Sequence, residues 1–335
     1  MHYFFQRFVF SILSLFILTL ITFLLSQVVP GDPAIVAAGP NAGADKIELL
    51  RSEMGLDKPL SEQFLIYLGK LAQGDLGKSW FTHQPIFEDL IRELPPSLEL
   101  VIIAMFINLI ISLPLGLYSA RYNDTRFDSS VRLFAMIGAG LPIFWTALIL
   151  QNIIGGELQL LPIAGRLSFE YRTFEGYTGF FLLDGLILGR LDILFDALKH
   201  LILPAFSLSL LFTAVGLRIT RTAMISEFQK DYVLLARTKA AGEARIMFKH
   251  VFPNGAPPSL TVFGMQFGWM LGATVLVEEI YGRPGIGRYA VKAVTQSDIH
   301  AVIAVVLVVG VVFLLANLVV DLLLYLLNPR GRKNE

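Results

Sequence analysis

Three uninterrupted apolar runs constrain the fold of this chain more than any other feature of its sequence. They cover residues 8–29, 100–120 and 301–320, and none of them contains a lysine or an arginine. A helix of about 20 apolar residues crosses the roughly 30 Å hydrocarbon core of a bilayer. Only 16% of the residues are charged, against about 25% in soluble domains. We therefore predict an all-α polytopic membrane protein.

Three weaker apolar segments complete the predicted set of six transmembrane helices. The first strong run exceeds the roughly 7–15 apolar residues of a signal peptide, so we expect it to be retained as a span. The other two strong runs extend to 98–120 and 301–327, and the weaker segments cover 133–154, 201–217 and 260–277.

Polar, aromatic and helix-breaking residues inside the weaker segments are candidates for a pathway across the membrane. Proline and glycine within a span are tolerated where neighbouring helices satisfy the freed backbone groups, so they indicate a packed bundle. The candidate pore-lining residues are Pro142, Trp145, Gln151, Asn152, Gln266 and Trp269.

The distribution of lysine and arginine predicts which ends of the spans face the cytoplasm. Segments 1–7, 119–132, 218–258 and 328–335 carry 14 of the 27 basic residues but only six of the 27 acidic ones. Basic residues accumulate in short cytoplasmic loops. The basic residues of a loop longer than about 60 residues, such as 30–97, do not indicate orientation and are left out of this comparison. Both termini are therefore predicted to be cytoplasmic.

This orientation predicts the organisation of the whole chain. We expect a first transmembrane helix with a cytoplasmic N-terminus at 1–29, followed by an external and partly helical loop domain at 30–97. A transmembrane core at 98–328 comes next, and a cytoplasmic tail at 329–335 ends the chain. The core includes an external loop at 156–199 and a cytoplasmic loop at 218–258.

Signatures of nucleotide binding, catalysis and metal binding are weak or absent in the sequence. The stretch AQGDLGKS (72–79) fits a loosened phosphate-loop pattern, but Ala72 replaces the first glycine and the preceding residues 61–71 predict an amphipathic helix instead of a strand. There is no H-E-x-x-H or G-x-S-x-G motif, no cysteine, and the five histidines are scattered. A net charge of zero excludes a globally basic nucleic-acid binder. We predict no catalytic, metal or cofactor site on this chain.

Carboxylates within the spans or at their ends form two groups. Asp321 lies one helical turn after Asn317 in the last span, and a structural hydrogen bond there is favoured over a proton or ion relay. The second group ends the fifth span and leads into a rigid turn that is either re-entrant or at the outer interface. With the turn residues it comprises Glu278, Glu279, Pro284, Gly285 and Gly287.

The loop between the fourth and fifth spans predicts a short amphipathic helical hairpin with a basic rim. Residues 231–241 have a helix-forming composition, and Gly242 is a suitable C-cap. A second helix over 243–252 is expected to stop at Pro253. Such a hairpin either lies on anionic lipid headgroups or docks in the groove of a partner protein, and the residues alone favour neither.

Six stretches of the sequence form a specific pattern when they are taken in order. They are VVPGDPA (28–34), LPIFW (141–145), LLPIAGR (160–166), HLILPAF (200–206), EEIYGRPGIGR (278–288) and NLVVDLLLYLLNPR (317–330). Together they resemble the inner-membrane permease subunits of ATP-binding-cassette (ABC) importers, in the branch that carries dipeptides, oligopeptides and nickel. The resemblance runs along essentially the whole chain.

The resemblance implies a fold, partners and a location. It implies a type I importer bundle (MetI-like) that forms half of a pore, with a second homologous permease, two cytoplasmic ATPase subunits that hold ATP and Mg²⁺, and an extracytoplasmic binding protein. It also implies the bacterial cytoplasmic (inner) membrane and a peptide substrate, with a nickel chelate or another small solute as the alternative. From the residues alone, an ion-gradient-driven transporter and an intramembrane enzyme are competing classes.

In such permeases the loop between the late spans carries E-A-A-x-x-x-G-x9-I-x-L-P and forms the helix that couples to the ATPase. Aligned on Pro253, the second alanine of the motif falls on Ala236. The glutamate falls on Leu234 and the glycine on Ala240, so this chain lacks both and has its glycine later, at Gly242. The pattern leaves open whether the hairpin turns at residue 240 or at 242.

The resemblance also assigns roles to individual positions. The candidate coupling residues are Tyr232, Ala236, Arg237, Lys239, Ala240, Gly242, Glu243, Arg245, Ile246, Lys249, His250 and Pro253. The candidates for an outer gate and receptor contact are Pro30, Gly31, Asp32 and Pro33, together with the carboxylates and the turn that follow the fifth span.

Overall fold

The computed structural model describes residues 2–28, 34–35, 43–53 and 55–327 of the chain, and the regular elements in these ranges are helices. The predicted all-α class is therefore confirmed. In chain order the helices are α1 (His2–Val28), α2 (Ala44–Glu53), α3 (Leu60–Ala72), α4 (Ile86–Arg121), α5 (Arg126–Gly140), α6 (Ile143–Leu150), α7 (Phe181–Ile187), α8 (Leu191–Phe228), α9 (Asp231–Thr238), α10 (Glu243–Arg245), α11 (Phe252–Ile280), α12 (Ile286–Thr295) and α13 (Ile299–Leu327).

Four helical stretches in the described part of the chain are long and apolar enough to cross a membrane. They are Ile86–Arg121, Leu191–Phe228, Glu243–Ile280 and Ile299–Leu322, and they coincide with the predicted second, fourth, fifth and sixth spans. Helix α1 contains a shorter apolar segment, Val9–Leu25. The total of six spans stays a prediction.

The third predicted span, 133–154, is not a straight helix. Helices α5 and α6 meet at an angle of 103°, so the pair forms a broken span or a re-entrant loop. Pro142, which has no N–H, and Leu141 before it both have extended backbones, with ψ of 140° and 125°. A residue before proline is disfavoured in the helical region, and this preference accounts for the break.

The second arm of the hairpin does not stop at Pro253, contrary to the prediction. From Glu243 the chain is helical without a break to Ile280, because a π-helical segment, Ile246–Val251, joins α10 to α11. Pro253 lies in the first turn of α11. The wider π turn shifts the backbone ladder, and the amide Nδ2 of Asn254 donates to the His250 carbonyl at 2.7 Å. A local change of helix type thus accommodates the proline.

The larger compact unit, Leu94–Arg288 with Val312–Glu335, is built around α8. Helices α5, α6, α7 and α11 all pack on α8. Glycine allows the closest approaches within this unit: a Cβ at Gly116 would lie 2.8 Å from the side chain of Thr220, and one at Gly264 would lie 2.7 Å from Val320. These contacts hold the helices of the unit at short distances.

The smaller compact unit, Met1–Glu93 with Tyr289–Val311, contains the predicted amphipathic helix as α3. The Phe64 and Tyr67 rings of α3 lie 5.2 Å and 5.7 Å from the Phe23 ring of α1, measured between centroids. The prediction that residues 61–71 form an amphipathic helix is confirmed.

The AQGDLGKS stretch follows α3 as a glycine turn and not as a phosphate loop. Gly74 and Gly77 have positive φ angles of 77° and 80°. Ser79 Oγ donates to the Asp298 carboxylate at 2.7 Å, and Trp80 N–H donates to it at 2.6 Å. Asp298 also accepts the Ala301 N–H at 3.1 Å, so one buried carboxylate fixes this loop and the first turn of α13.

Candidate functional site

The hairpin turns at Ala240, not at Gly242. Ala240 has a φ of 56°, the left-handed conformation in which glycine is favoured. Its N–H donates to the Arg237 carbonyl at 2.9 Å, and the Ala241 N–H donates to the Ala236 carbonyl at 3.1 Å. This pair of hydrogen bonds is the Schellman motif that ends helices. The predicted C-cap at Gly242 is therefore wrong: Gly242 is extended, with φ −64° and ψ 145°, and precedes α10 as its N-cap.

An apolar cluster attaches the hairpin to the helix bundle. Val233 of α9 and Ile246 and Val251 of the π-helical segment are fully buried, with 0% of each side chain exposed. They pack with Leu117 of α4 and Met224 of α8. Each such burial contributes about 1.5–3 kcal/mol relative to exposure. The hairpin is therefore a firmly packed extension of α4, α8 and α11.

Polar contacts reinforce this attachment at two places. The Glu243 carboxylate lies 2.9 Å from Arg121 Nε at the end of α4 and 3.3 Å from Arg237 Nε on the first arm. The Tyr232 hydroxyl donates to the Glu227 carboxylate at 2.6 Å. Burial, followed by the hydrogen bond to Glu227 and its charge, raises the pKa of Tyr232, so the phenol stays protonated and keeps donating.

The outward face of the hairpin combines apolar and basic side chains. Leu234 and Leu235 of α9 are 63% and 55% exposed, and Phe248 of the second arm is 54% exposed. The basic side chains of Arg245 and Lys249 on the second arm are exposed as well. Of the other coupling candidates, His250 and Ala236 are half-buried, and Arg237, Lys239, Ala240, Gly242, Glu243 and Pro253 are exposed.

The turn after α11 is built around a buried carboxylate, that of Glu278. This carboxylate accepts the Ser97 hydroxyl at 2.5 Å and the Arg288 N–H at 3.0 Å, so it caps the first turn of α12. A Cβ at Gly285 would overlap the carboxylate, and one at Gly287 would lie 2.6 Å from the Val275 backbone. The two glycines are therefore needed for close approach.

The other candidates in this turn lie at its surface. Glu279 and Pro284 are exposed, and the Glu279 carboxylate lies 3.4 Å from Arg288 Nε. The remaining gate candidates, residues 30–33, lie outside the described residues, and their assigned role stays a prediction.

A second buried charged group lies beneath the same turn. Arg283 is 1% exposed, and its Nη1 donates to the Gly165 carbonyl at 3.1 Å. Arg166 Nη2 donates to the Glu99 carboxylate at 2.9 Å, and Arg283 Nη2 lies 3.9 Å from it. Burial is the main reason that the pKa of Arg283 is lowered to about 10; Arg166 acts in the same direction and Glu99 opposes it. The guanidinium is still charged at neutral pH.

Tyr281 connects three segments of the chain that are remote in sequence. Tyr281 follows the last residue of α11. Its hydroxyl donates to the Ala147 carbonyl at 3.1 Å and lies 3.0 Å from Ser207 Oγ. Its carbonyl accepts the Gly165 N–H at 3.0 Å. Burial raises the pKa of Tyr281 to about 12. Tyr281 thus connects the turn after α11 to α6, to α8 and to the segment that contains Gly165.

Sequence analysis missed the role of Glu99, Arg166 and Arg283 in this assembly. Arg166 and Arg283 lie within the quoted stretches, but the stretches do not say that their charges meet at Glu99. It also missed the buried Asp128 carboxylate, which Arg221 contacts at 2.6 Å and 2.8 Å. The partners are separated by 67 or more residues, so no local spacing signals them.

The candidate pore residues do not form one continuous group. Gln266 is fully buried and bonds to the Asn108 amide at 2.7 Å and the Phe212 carbonyl at 3.0 Å, so it lines no surface of this chain. Gln151 donates to the carbonyls of Ile163 and Ile280. Of the other four candidates, Pro142 lies at the break between α5 and α6, and the side chains of Trp145, Asn152 and Trp269 are exposed.

The polar residue in the last span bonds within its own helix. The Asn317 amide donates to the Phe313 carbonyl at 3.0 Å. Asp321 is half-buried one turn later. The structural contact predicted at Asp321 stays a prediction.

The long apolar helices and the broken helix pair define a multi-pass helical membrane protein. The family model described as binding-protein-dependent transport system inner membrane component matches residues 112–333. A second model, for the N-terminal part of such membrane components, matches residues 1–101. The chain therefore belongs to the family of binding-protein-dependent transport system inner membrane components.

Curated relatives cover nearly the full length of the chain. It is 38% identical to a probable D,D-dipeptide transport system permease protein, DdpB, of Escherichia coli, over 92% of this chain and 91% of the relative. It is 39% identical to the di/tripeptide transport system permease protein DppB of Pseudomonas aeruginosa, over 95% of each. It is 32% identical to the glutathione transport system permease protein GsiC of Escherichia coli, over 99% of each. The resemblance to ABC importer permeases drawn from the sequence is confirmed.

Proposed function

We propose that this chain forms half of the translocation pore of an ABC importer that carries di- or oligopeptides. In this proposal a second permease completes the pore, two ATPase subunits bind from the cytoplasm, and an external binding protein delivers the substrate. The termini and the hairpin face the cytoplasm, as the distribution of lysine and arginine favours. Catalysis and nucleotide binding belong to the ATPase subunits and not to this chain.

The observation that carries the coupling role is the construction of the hairpin. Its inner side is packed against α4, α8 and α11 through Val233, Ile246 and Val251. Its outer side presents Leu234 and Leu235 with a basic rim, a surface suited to the groove of another protein. Because the hairpin is packed against three long helices, a displacement of the hairpin by a closing ATPase pair moves those helices as a rigid body.

The substrate class rests on the relatives. Two of them are named for dipeptides or tripeptides and a third for glutathione, itself a small peptide. A peptide is therefore favoured over a nickel chelate. Uptake of a labelled dipeptide by reconstituted transporter, competed by longer peptides, glutathione and a nickel chelate, tests this assignment. ATP-driven uptake of the nickel chelate with no uptake of the labelled dipeptide would reject a peptide.

A double charge reversal, Arg245→Glu with Lys249→Glu, tests the docking role. Both side chains are exposed on the second arm and face away from the apolar cluster. We expect the variant to insert into the membrane normally, to lose co-purification of the ATPase subunits in detergent, and to lose at least about 90% of ATP-driven uptake. The physical reason is repulsion at the rim of the interface.

The matched control is Arg172→Glu with Lys199→Glu, which reverses two exposed charges outside the hairpin. This control is expected to retain the ATPase subunits. Normal uptake by the hairpin variant would reject the docking role. Uptake driven by an imposed ion gradient in vesicles without ATPase subunits would instead support the secondary-transporter class.

A further inference from the structure

A cavity lies at the turn between α4 and α5. It adjoins Arg121, the partner of Glu243, whose guanidinium carbon lies 5.5 Å from the centre of the Tyr122 ring. It is a depression that is open to the surface, has a volume of about 590 Å³ and is lined by Tyr118, Tyr122, Thr125, Arg126 and Phe127. This volume falls within the roughly 300–1,000 Å³ of small-molecule sites. Nothing in the coupling mechanism uses these side chains.

Aromatic rings form the walls of this cavity. Tyr118 and Tyr122 lie one helical turn apart at the end of α4, and Phe127 lies in the first turn of α5. The Tyr122 and Phe127 rings meet edge to face, with 6.4 Å between their centroids. The three side chains are 37%, 49% and 42% exposed. Such a half-exposed aromatic surface is costly in water but suits the acyl region just below lipid headgroups.

A cationic side chain, Arg126, stands exposed at the cavity. The nearest acidic residues are already engaged. Asp128 is buried between Arg221, at 2.6 Å, and Arg132, at 3.4 Å, and Asp124 accepts the Asn123 amide at 2.7 Å. Asp124 keeps its charge, but Arg126, Arg132 and Arg221 outnumber Asp124 and Asp128 around this turn, so the local field favours an anion.

The position of the turn agrees with this chemistry. Helix α4 is long and apolar enough to cross a membrane and ends at Arg121. The span predicted within it ends at residue 120, so residues 118–127 are expected where that span leaves the bilayer. Basic pockets at the ends of spans, next to tyrosine rings, fit phosphodiester headgroups with the first part of their acyl chains. A free phosphate would use the arginine but leave the aromatic walls uncovered.

We propose that this cavity is a binding site for an anionic phospholipid. The phosphodiester pairs with Arg126, and the glycerol and upper acyl carbons contact Tyr118, Tyr122 and Phe127. The site does not depend on which side of the membrane the turn faces.

Lipid titration of the purified full-length permease, followed by native mass spectrometry, tests the site. The probes are dioleoyl phosphatidylglycerol, dioleoyl phosphatidylcholine and inorganic phosphate. We expect phosphatidylglycerol to be retained in preference to phosphatidylcholine. Arg126→Gln should weaken phosphatidylglycerol binding by about fivefold, the effect of one basic residue near an anionic surface. Tyr122→Ala should weaken it as well, and Arg126→Lys should restore most of the affinity.

The matched control is Arg218→Gln, which removes an exposed arginine of the same basic region that does not line the cavity. We expect this control to bind phosphatidylglycerol as the unchanged chain does. Equal losses in the Arg126 and Arg218 variants would overturn the proposal, because the effect would then be that of general charge. Equal retention of the two lipids, or full displacement of phosphatidylglycerol by millimolar phosphate, would overturn it too.

Discussion

Exchange of the residues at positions 240 and 242 tests where the hairpin turns. Ala240 has a φ of 56°, and a left-handed conformation costs an L-residue about 1–2 kcal/mol. Glycine removes this cost but loses about 0.5–1 kcal/mol through the greater freedom of the unfolded chain. We therefore expect Ala240→Gly to stabilise the turn by about 0.5–1 kcal/mol.

The matched variant is Gly242→Ala. Gly242 has an ordinary φ of −64°, and a Cβ there meets nothing within 4 Å. Alanine is a weaker N-cap than glycine, but it also reduces the freedom of the unfolded chain, and the two effects oppose each other. We therefore expect the stability of the hairpin to change by no more than about 0.5 kcal/mol.

The assay is amide hydrogen exchange on the hairpin in the purified protein. The N–H groups of Ala240 and Ala241 donate to the carbonyls of Arg237 and Ala236 and close the turn. A gain of 0.5–1 kcal/mol slows their local opening by about two- to fivefold. Faster exchange in the Ala240→Gly variant, or a large loss of protection in Gly242→Ala only, would show that the chain turns at 242 and would refute the reasoning.

Two further predictions concern stability in the two compact units. Gly285→Ala places a methyl group on the buried Glu278 carboxylate and should lower the free energy of unfolding by about 2–4 kcal/mol. The matched control is Gly272→Ala, which should be tolerated because nothing lies within 4 Å of the added Cβ. Equal melting temperatures of these two variants in detergent would contradict this. Asp298→Ala removes the acceptor of the Ser79 hydroxyl and of two backbone N–H groups and should cost about 2–3 kcal/mol. Asp298→Asn should recover part of that loss, and an unchanged melting temperature in the alanine variant would count against the capping role.

Much of the fold was predictable because the membrane imposes simple rules. Long apolar runs must become helices that satisfy their own backbone groups, and this rule located the four long helices. The amphipathic spacing of Phe64 and Tyr67 likewise predicted α3 and its apolar face.

The errors concern proline and glycine, whose effect depends on the surroundings. Pro142 breaks a helix, whereas Pro253 lies within a continuous one because a π-helical segment precedes it. Gly242 suggested the turn, yet Ala240 makes it. At Pro253 and at Ala240 the local preference is only about 1–3 kcal/mol, and tertiary packing exceeds it.

The candidate hairpin site was likewise predictable from the sequence only in part. The sequence identified the hairpin as a distinct element, with its basic rim at Arg245 and Lys249, because charge and periodicity are local properties. It did not identify the side of the hairpin that is buried, because the π-helical segment changes the helical period at Ile246–Val251.

By itself, the sequence determined that this protein is a helical membrane protein with a polar hairpin between two of its long helices, because hydrophobicity and helical period act over neighbouring residues. Only the tertiary structure decided that Glu99 meets Arg166 and that Glu278 caps α12, because these partners lie in different elements: Glu99 is in α4 and Arg166 in the segment between α6 and α7, and Glu278 is in α11. Burial makes such contacts decisive: a buried charge is stable only with a partner, and that partner is found in space and not along the chain.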